Sequence, residues 1–444
     1  MTHQANKEKS SENQLQWWQL SLIGVGCIIG TGYFLGSSLA IKHAGPSVIL
    51  SFLAAAVTTY IVFSSLAKMI TADPQKGAFC TYSEKAFGRW AGFASGWVYW
   101  FSEMLITGSQ LTALSIFSKF WFPKGHLWVF ACFYAFLGIA VVLAGTKGFE
   151  RLENLFASIK MGAILMFIVL AVLALTGFFK KGPDHHHFPS SIQAFFPHGV
   201  MGVWLSLIYA FYAFGGIEIM GLMAINLKNK KDASKSGSVM LFLLGAIYLV
   251  SIGLAVTLIS WKSFNQKESP FVLALEEFQL PFFPDLFNAA LIIAGFSTMV
   301  ASLFAVTNLL VTLSENGNAP AFFKKKTQGK RKLPIRSLSL TAIGMVFSIL
   351  LALFMPGEIY EYITTAAGLM LLYNWIFILF SSRKLANTNV WTTAFGAAFI
   401  GIAIIGTLFN DASRPGFFGS IVFLLLIAVI LLKMKQIWKK DQSA

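Results

Sequence analysis

Two short stretches hold most of the residues whose types and spacing could do chemistry. The first reads Gly24-Val25-Gly26-Cys27-Ile28-Ile29-Gly30-Thr31-Gly32, and the second Tyr209-Ala210-Phe211-Tyr212-Ala213-Phe214-Gly215-Gly216-Ile217-Glu218. Both interrupt long apolar segments with glycine, and each glycine weakens a helix by about 1 kcal/mol relative to alanine. The first lacks the GxGxxG spacing of a dinucleotide site, and no strand or βαβ unit surrounds it. On its own it fits close helix packing through Gly26 and Gly30 as well as it fits unwinding. The second stretch decides for unwinding, because two glycine-interrupted spans in matching positions are what a paired inverted repeat requires. Unwound backbone at membrane depth is tolerated where it lines a cavity. A half-helix starting near Thr31 and Gly32 would offer unpaired N–H groups to a carboxylate. One ending near Tyr212 and Ala213 would offer unpaired carbonyls to an ammonium. A ligand with both groups close together is an α-amino acid.

Three charged residues fall inside apolar segments, where ionisable groups are functional candidates by default. Lys160 lies seven residues past Glu153, about 10 Å along a helix from the start of its span, which leaves room for snorkelling. A buried amine can instead gain and lose a proton during a transport cycle, and that role is the one expected here. Glu218 opens the second half of the interrupted segment, where a carboxylate is favoured at a helix N-terminus, so a structural role is expected ahead of a proton relay. Glu103 either faces the pathway or pairs with a buried polar group such as Ser297, Thr298 or Gln110, and the sequence leaves both readings open. The three together are the proton-coupling candidates.

The elements that must position these residues follow from composition. Of 444 residues, 56% are hydrophobic and only 12% charged, against about 25% charged in a soluble domain. So few charges cannot cover a soluble chain of this length, which excludes a cytosolic enzyme, a disordered protein and a secreted scaffold. Stretches 48–61, 161–175, 241–258 and 421–432 carry no charge. They sit in segments reaching the roughly 20 residues that cross about 30 Å of hydrocarbon. Twelve spans are expected, at about 17–41, 46–66, 91–118, 127–146, 154–179, 199–226, 238–260, 286–313, 337–355, 362–380, 391–409 and 415–432. The fold class is an all-α membrane protein with twelve transmembrane helices, a five-plus-five inverted repeat with helices 1 and 6 broken. Residues 1–16 form a tail, 17–180 the first repeat, 199–380 the second, 391–432 the last two helices and 433–444 a second tail.

Charge distribution sets the expected orientation. Of the 34 Lys and Arg residues, 25 lie in the tails and in alternate connections, 8 in the other connections, and Lys160 inside a span. The positive-inside rule then puts both termini in the cytoplasm, with the chain in the cell membrane. The net charge of +15 is spread over these clusters rather than gathered in one patch, which argues against nucleic acid as a partner. Residues 1–14 are polar, which argues against a cleavable signal peptide there. Cys27, Cys80 and Cys132 have no metal-like spacing and do not form a disulfide framework. His185-His186-His187 reads as a solvated turn rather than a metal site. Lys324-Lys325-Lys326 and Lys330-Arg331-Lys332 read as topology determinants that touch anionic lipid. Trp17, Trp18, Trp121 and Trp261 stand at span ends as interface anchors. No catalytic group, metal or cofactor is implied.

Several motifs together resemble a known family. They are Gly26-Cys-Ile-Ile-Gly-Thr-Gly-Tyr-Phe-Leu-Gly36, Ala44-Gly-Pro46, and Asp73-Pro-Gln-Lys-Gly-Ala-Phe79 followed by Tyr82. Gly92-Phe-Ala-Ser-Gly-Trp-Val-Tyr-Trp100, the stretch 211–218, and Gly317-Asn-Ala-Pro320 with Phe322 and Phe323 continue the series. In this order they resemble the bacterial amino acid permeases of the amino acid–polyamine–organocation superfamily. The resemblance implies the inverted-repeat fold, proton-coupled uptake and a site among spans 1, 3, 6, 8 and 10. It implies that Gly30, Thr31 and Gly32 meet the substrate carboxylate. It also implies that the carbonyls of Tyr212, Ala213 and Gly215 receive the amine, with Phe214 beside them and the Tyr212 ring as a lid. A lysine on the fifth helix takes the place of a sodium ion in some relatives, which Lys160 resembles. Lys68 and Asn308 depart from the family pattern toward the cytoplasmic side, at the inner gate.

The expected function is a secondary active transporter that imports a neutral amino acid by proton symport with alternating access. Tyr33, Phe211, Tyr212 and Phe214 are expected to form an aromatic pocket floor. An amino acid or polyamine exchanger and a non-transporting sensor are the alternatives. The expected partners are the amino acid, protons and membrane lipids, with the chain a monomer or weak dimer.

Overall fold

The glycine-rich stretches do interrupt their helices. In a computed structural model, which describes residues 15–179, 187–278, 280, 282–327, 333–354 and 359–443, the chain is helical, with no strand among the described residues. Lys7, Lys9, Lys180, Lys181, His185, His186, residues 330–332 and the Glu153 side chain lie outside that description.

The first span is divided into α1 (Trp17–Ile28), α2 (Thr31–Phe34) and α3 (Gly36–Ala44). It is followed by α4 (Val48–Ala72), the short amphipathic α5 (Phe79–Phe87), α6 (Arg89–Lys119), α7 (Leu127–Ala144) and α8 (Thr146–Leu175). After α9 (Ile192–Phe195), the sixth span is divided into α10 (Gly199–Ala213) and α11 (Ile217–Met223). Then come α12 (Ala233–Leu258), α13 (Pro270–Glu276), α14 (Phe283–Glu315), α15 (Ile335–Phe354), α16 (Ile359–Leu385), α17 (Val390–Gly406) and α18 (Arg414–Ser443). Among the described residues, eight helical segments are long and apolar enough to cross a membrane, the first of them Thr31–Ala72, in which α2, α3 and α4 follow one another. Three shorter apolar helices, Trp17–Ile28, Ile335–Leu350 and Val390–Gly406, accompany them. The 31-residue α6 is about 46 Å long at 1.5 Å per residue, and its buried side carries Ser102, Glu103, Thr107, Ser109, Gln110 and Thr112.

Burial is inverted relative to a soluble bundle. Val422, Leu425, Val429 and Leu432, one helical stripe of α18, are exposed, while hydroxyl-bearing residues of α6 and α14 are buried. That is the distribution expected when hydrocarbon, not water, is the solvent.

The two divided helices lie against each other in opposite directions. α1 packs on α11, and α3 packs on α10. A methyl added at Gly216 would meet Ile28 Cγ1 at 3.1 Å, and one at Gly32 would meet the Tyr212 ring at 3.0 Å. The breaks are therefore side by side. α6 is flanked by α14 and α16 and closes the space beside them.

At the face carrying the start of α1, the backbone itself makes the tie. Leu15 N–H donates to Asn226 O at 2.9 Å and Lys228 N–H to Leu15 O at 2.9 Å. Ser21 Oγ donates to Ser236 O at 2.8 Å, and the Lys235 amine stands 3.9 Å over the Trp17 ring. Neither departure from the family pattern takes part in this tie: Lys68 is exposed, and Asn308 Nδ2 donates to Phe304 O on its own helix at 2.8 Å. One boundary differs from expectation. The 147–153 connection is the first part of α8, since Gly145 ends α7 with a positive φ of 81° and the helix resumes at once.

Candidate functional site

α1 ends at Ile29, whose backbone is extended (φ −68°, ψ 105°), and Gly30 continues it (φ −155°, ψ −153°). Helix geometry returns at Thr31, so Thr31 and Gly32 stand in the first turn with no carbonyl four residues back to receive their N–H groups. A side chain at Gly30 would strike Thr298 Oγ1 at 2.5 Å, which explains glycine there. The second break runs over Phe214–Gly216. Gly216 has φ +114°, which side chains rarely adopt. Gly215 N–H donates to Tyr212 O at 3.1 Å, and Gly216 N–H donates to Glu218 Oε2 at 3.3 Å. The Trp375 indole N–H donates to Glu218 Oε1, and the Tyr248 hydroxyl donates to Ala213 O at 2.9 Å.

Between the breaks is a cavity of about 30 Å³ lined by Gly30, Thr31, Gly32, Glu103, Ile106, Gln110, Tyr212, Gly215, Gly216, Thr298 and Ser302 among others. That volume holds one or two waters, so a larger guest requires its walls to part. Thr31 Oγ1, Glu103 Oε2 and Gln110 Oε1 are buried without a hydrogen-bond partner. Buried polar atoms of that kind call for an explanation, and three around one cavity point to a polar guest. The Tyr212 hydroxyl donates to Ser109 Oγ at 2.9 Å, which holds its ring over Gly32.

Lys160 is 1% exposed and its Nζ donates to Gly26 O at 2.5 Å, in the last turns of α1. Because α8 begins at Thr146, the lysine is about 21 Å from that helix start at 1.5 Å per residue. The apolar part starts only at Leu155, so what sets this lysine apart from a snorkelling one is the burial of its amine on the Gly26 carbonyl. Glu218 sits in the first turn of α11, buried, and holds the second break together. Glu103 faces the cavity with Gln110, Thr298 and Ser302.

Two parts of the expected pocket are elsewhere. Phe214 packs on Tyr248 with ring centroids 4.9 Å apart, and Ala213 turns its carbonyl to Tyr248. Tyr33 donates to or accepts from Ser251 Oγ at 2.5 Å and stacks on Tyr248, and Phe211 packs edge-on against Trp375. Of the four aromatic residues expected at the floor, Tyr212 lines the cavity. The α6 and α14 side carries Glu103, Gln110, Thr298 and Ser302 with Ile106, and the aromatic residues turn elsewhere because the helical phase on either side of a break is set by the break and not by the flanking pattern. One residue beside the cavity escaped sequence reasoning altogether: Tyr360 of α16 donates to Thr31 O at 3.0 Å, and no charge or glycine signal marks it.

The family model for amino acid permease matches residues 19–442. The chain belongs to the amino acid permease family. It is 54% identical to the uncharacterized transporter YcgH of Bacillus subtilis (strain 168), covering 99% of both chains. It is 28% identical to the aromatic amino acid transport protein AroP of Escherichia coli O6:H1, over 82% of this chain and 80% of that one. It is 26% identical to the probable threonine/serine transporter YbxG of Bacillus subtilis, over 92% of each. The permease match spans both divided helices and the α6 and α14 walls, so the family covers the whole cavity.

Proposed function

We propose that this permease is a secondary active transporter that imports a neutral amino acid with a proton, alternating access to one site between the two breaks. The observation that carries the reading is the cavity itself. Amide groups of Thr31 and Gly32 stand on one side, the backbone of Tyr212 and Gly215 on the other, with unpartnered Thr31, Glu103 and Gln110 oxygens between. The carboxylate binds at Gly30, Thr31 and Gly32, where a helix begins. The amine binds at the carbonyls of Tyr212 and Gly215 and at Glu103. The Tyr212 ring closes over it.

The opposed packing of the divided helices supports a twelve-helix, five-plus-five inverted repeat. The Lys and Arg bias supports an orientation with the start of α1 facing the cytoplasm of a cell membrane. Uncharged side chains are favoured because two relatives are named for aromatic amino acids and for threonine and serine. Lys160 carries the coupling proton: its amine holds the Gly26 carbonyl, so losing or gaining a proton changes the tie between α8 and α1.

The test is a thermal-shift screen of the purified full chain against the twenty amino acids. Radiolabelled uptake of each hit into proteoliposomes follows, with and without an inward proton gradient. Stabilisation by a neutral amino acid and gradient-driven accumulation of the same compound are expected. Counterflow without any response to the gradient would replace symport by exchange, and binding without flux would make the chain a sensor.

A further inference from the structure

On the face opposite the start of α1, one buried carboxylate gathers five pieces of the chain. Glu361, near the start of α16, is 3% exposed. Its Oε1 accepts from the Tyr209 hydroxyl of α10 at 2.5 Å, and its Oε2 accepts from Gln266 Nε2 at 2.6 Å. His43, in the last turn of α3, brings its Nε2 to 3.5 Å from the same Oε1. The imidazole stacks on the Tyr209 ring, with centroids 5.6 Å apart and planes 1° apart. Asn410, before α18, places its Nδ2 3.3 Å from His43 Nε2. The His43 side chain is 18% exposed, so protons in solution reach it.

The neighbouring charges are Lys42 on α3, Lys262 beside the Trp261 ring, Lys267 and Glu268 on the segment of Gln266, and Asp411, which pairs with Arg414 at 2.8 Å. Among the described residues, none of these makes an ion pair with His43 or Glu361. Beside the cluster is a vestibule of about 600 Å³ lined by Lys42, Thr112, Gln266, Glu268 and Tyr360 among others. Tyr360 adjoins Glu361 in sequence. Its hydroxyl reaches Thr31 O, and a methyl at Gly36 would lie 3.6 Å from that hydroxyl and 3.9 Å from Tyr212 Cδ1. The two tyrosines thus meet between vestibule and cavity, and Tyr360 is carried by the helix end that Glu361 holds.

We propose that His43 and Glu361 form a proton-operated latch on this gate. With the imidazole protonated, the pair ties α3, α10 and α16 together and keeps Tyr360 across the pathway. With the imidazole neutral, the tie is slack and the vestibule opens to the cavity. An uncharged Nε2 that accepts from Asn410 has no proton to give Glu361, whereas a protonated ring makes a charge-assisted bond to it. Both residues are positioning residues that act through Tyr360. The latch rests on the alternating-access reading above, and it would make closure follow proton arrival from the compartment this face meets.

The test uses the full chain with Cys27, Cys80 and Cys132 replaced by serine and a reporter, Gln110→Cys, in the cavity beneath Tyr360. An impermeant methanethiosulfonate is applied from this face at pH 8 and at pH 5.5, without substrate. Dividing the pH 8 to pH 5.5 rate ratio by that of the same reporter in a His43→Gln background cancels thiol ionisation. The expected quotient is about tenfold, the effect of one charge-assisted hydrogen bond. Glu361→Gln with His43 intact should bring it back to one. A quotient of one in the parent overturns the latch. If Glu361→Gln does not fold, His43→Gln at its partly exposed site decides alone. Uptake is measured on the chain with its native Gln110 and cysteines, which separates the two claims: uptake with a quotient of one sinks only the latch, and a quotient near ten without uptake sinks only the transport reading.

Discussion

At the sixth-span break, the N–H groups freed from the helix are satisfied close to home. Gly215 N–H donates to Tyr212 O and Gly216 N–H to Glu218, while Trp375 of α16 and Tyr248 of α12 bond Glu218 and the Ala213 carbonyl. At the first-span break, three other helices make the side-chain contacts. Lys160 reaches Gly26 O from α8, Tyr360 reaches Thr31 O from α16, and Thr298 presses on Gly30 from α14. Thr31 Oγ1 is buried with no partner. The first stretch holds four glycines in nine residues and the second two in ten, and on the proposed reading the second is the firmer joint while the first is held by groups that a ligand or a proton displaces. In the proposed cycle the firmer joint is the frame against which the first helix moves.

The comparison is broken most severely by Gly32→Leu. A Cβ there would already lie 3.0 Å from Tyr212 Cδ1 and Cε1, and the rest of the side chain would fill the carboxylate position. Amino acid binding by thermal shift should weaken by about 100-fold or more, roughly 2.7 kcal/mol, with the protein still monodisperse. Unchanged affinity would remove the first break from the site.

Glu218→Ala should act on stability instead. It leaves the Gly216 N–H and the Trp375 indole N–H buried without an acceptor, at about 1–3 kcal/mol each. A lowered thermal midpoint with an unchanged pH profile of uptake is the expected result, and Glu218→Gln, which keeps an acceptor oxygen, should lose less. A shifted pH profile would make the second joint part of the coupling machinery. Tyr248→Phe removes one hydrogen bond to the Ala213 carbonyl and should cost about 0.5–1.5 kcal/mol of stability, read as a small midpoint shift with uptake retained.

The smallest effect serves as a control remote from both breaks. The Lys85 amine, then Gln75, holds the exposed Asp73 carboxyl below its ordinary range. A depressed carboxyl contributes stability above its unfolded value of about 3.9 and loses it only as pH falls through the lower folded value. Asp73→Asn should therefore leave the thermal midpoint at pH 7 nearly unchanged, as exposed pairs do. A midpoint change comparable to that of Glu218→Ala would show that this exposed pair carries as much stability as the second joint.

Much of this contrast was legible in the sequence, and the remainder fails for a physical reason. Glycine spacing located both breaks, and the placement of Glu218 after Gly216 marked a helix start. Lys160 stood out because a charge in an apolar segment has few explanations. The orientation of Tyr33, Phe211 and Phe214 was not legible, since an unwound pair of residues resets helical phase by an angle that no periodicity records. Glu103 was ambiguous for the same reason that it matters: a carboxylate facing a cavity and one paired in a core have identical local sequence. Tyr360 and the His43–Glu361 pair were invisible, because the contacts join residues more than 300 positions apart with no motif between them.

The central claim is that the first break, not the second, answers to the proton, through Lys160. Its most direct test is accumulation of a radiolabelled amino acid identified by the binding screen, in proteoliposomes at fixed membrane potential, with an inward proton gradient imposed or absent. Lys160→Ala should bind the amino acid and exchange it, yet lose accumulation driven by the gradient, while Glu218→Gln keeps it. Full gradient-driven accumulation by Lys160→Ala would contradict the account and move the coupling group to Glu103 or Glu218.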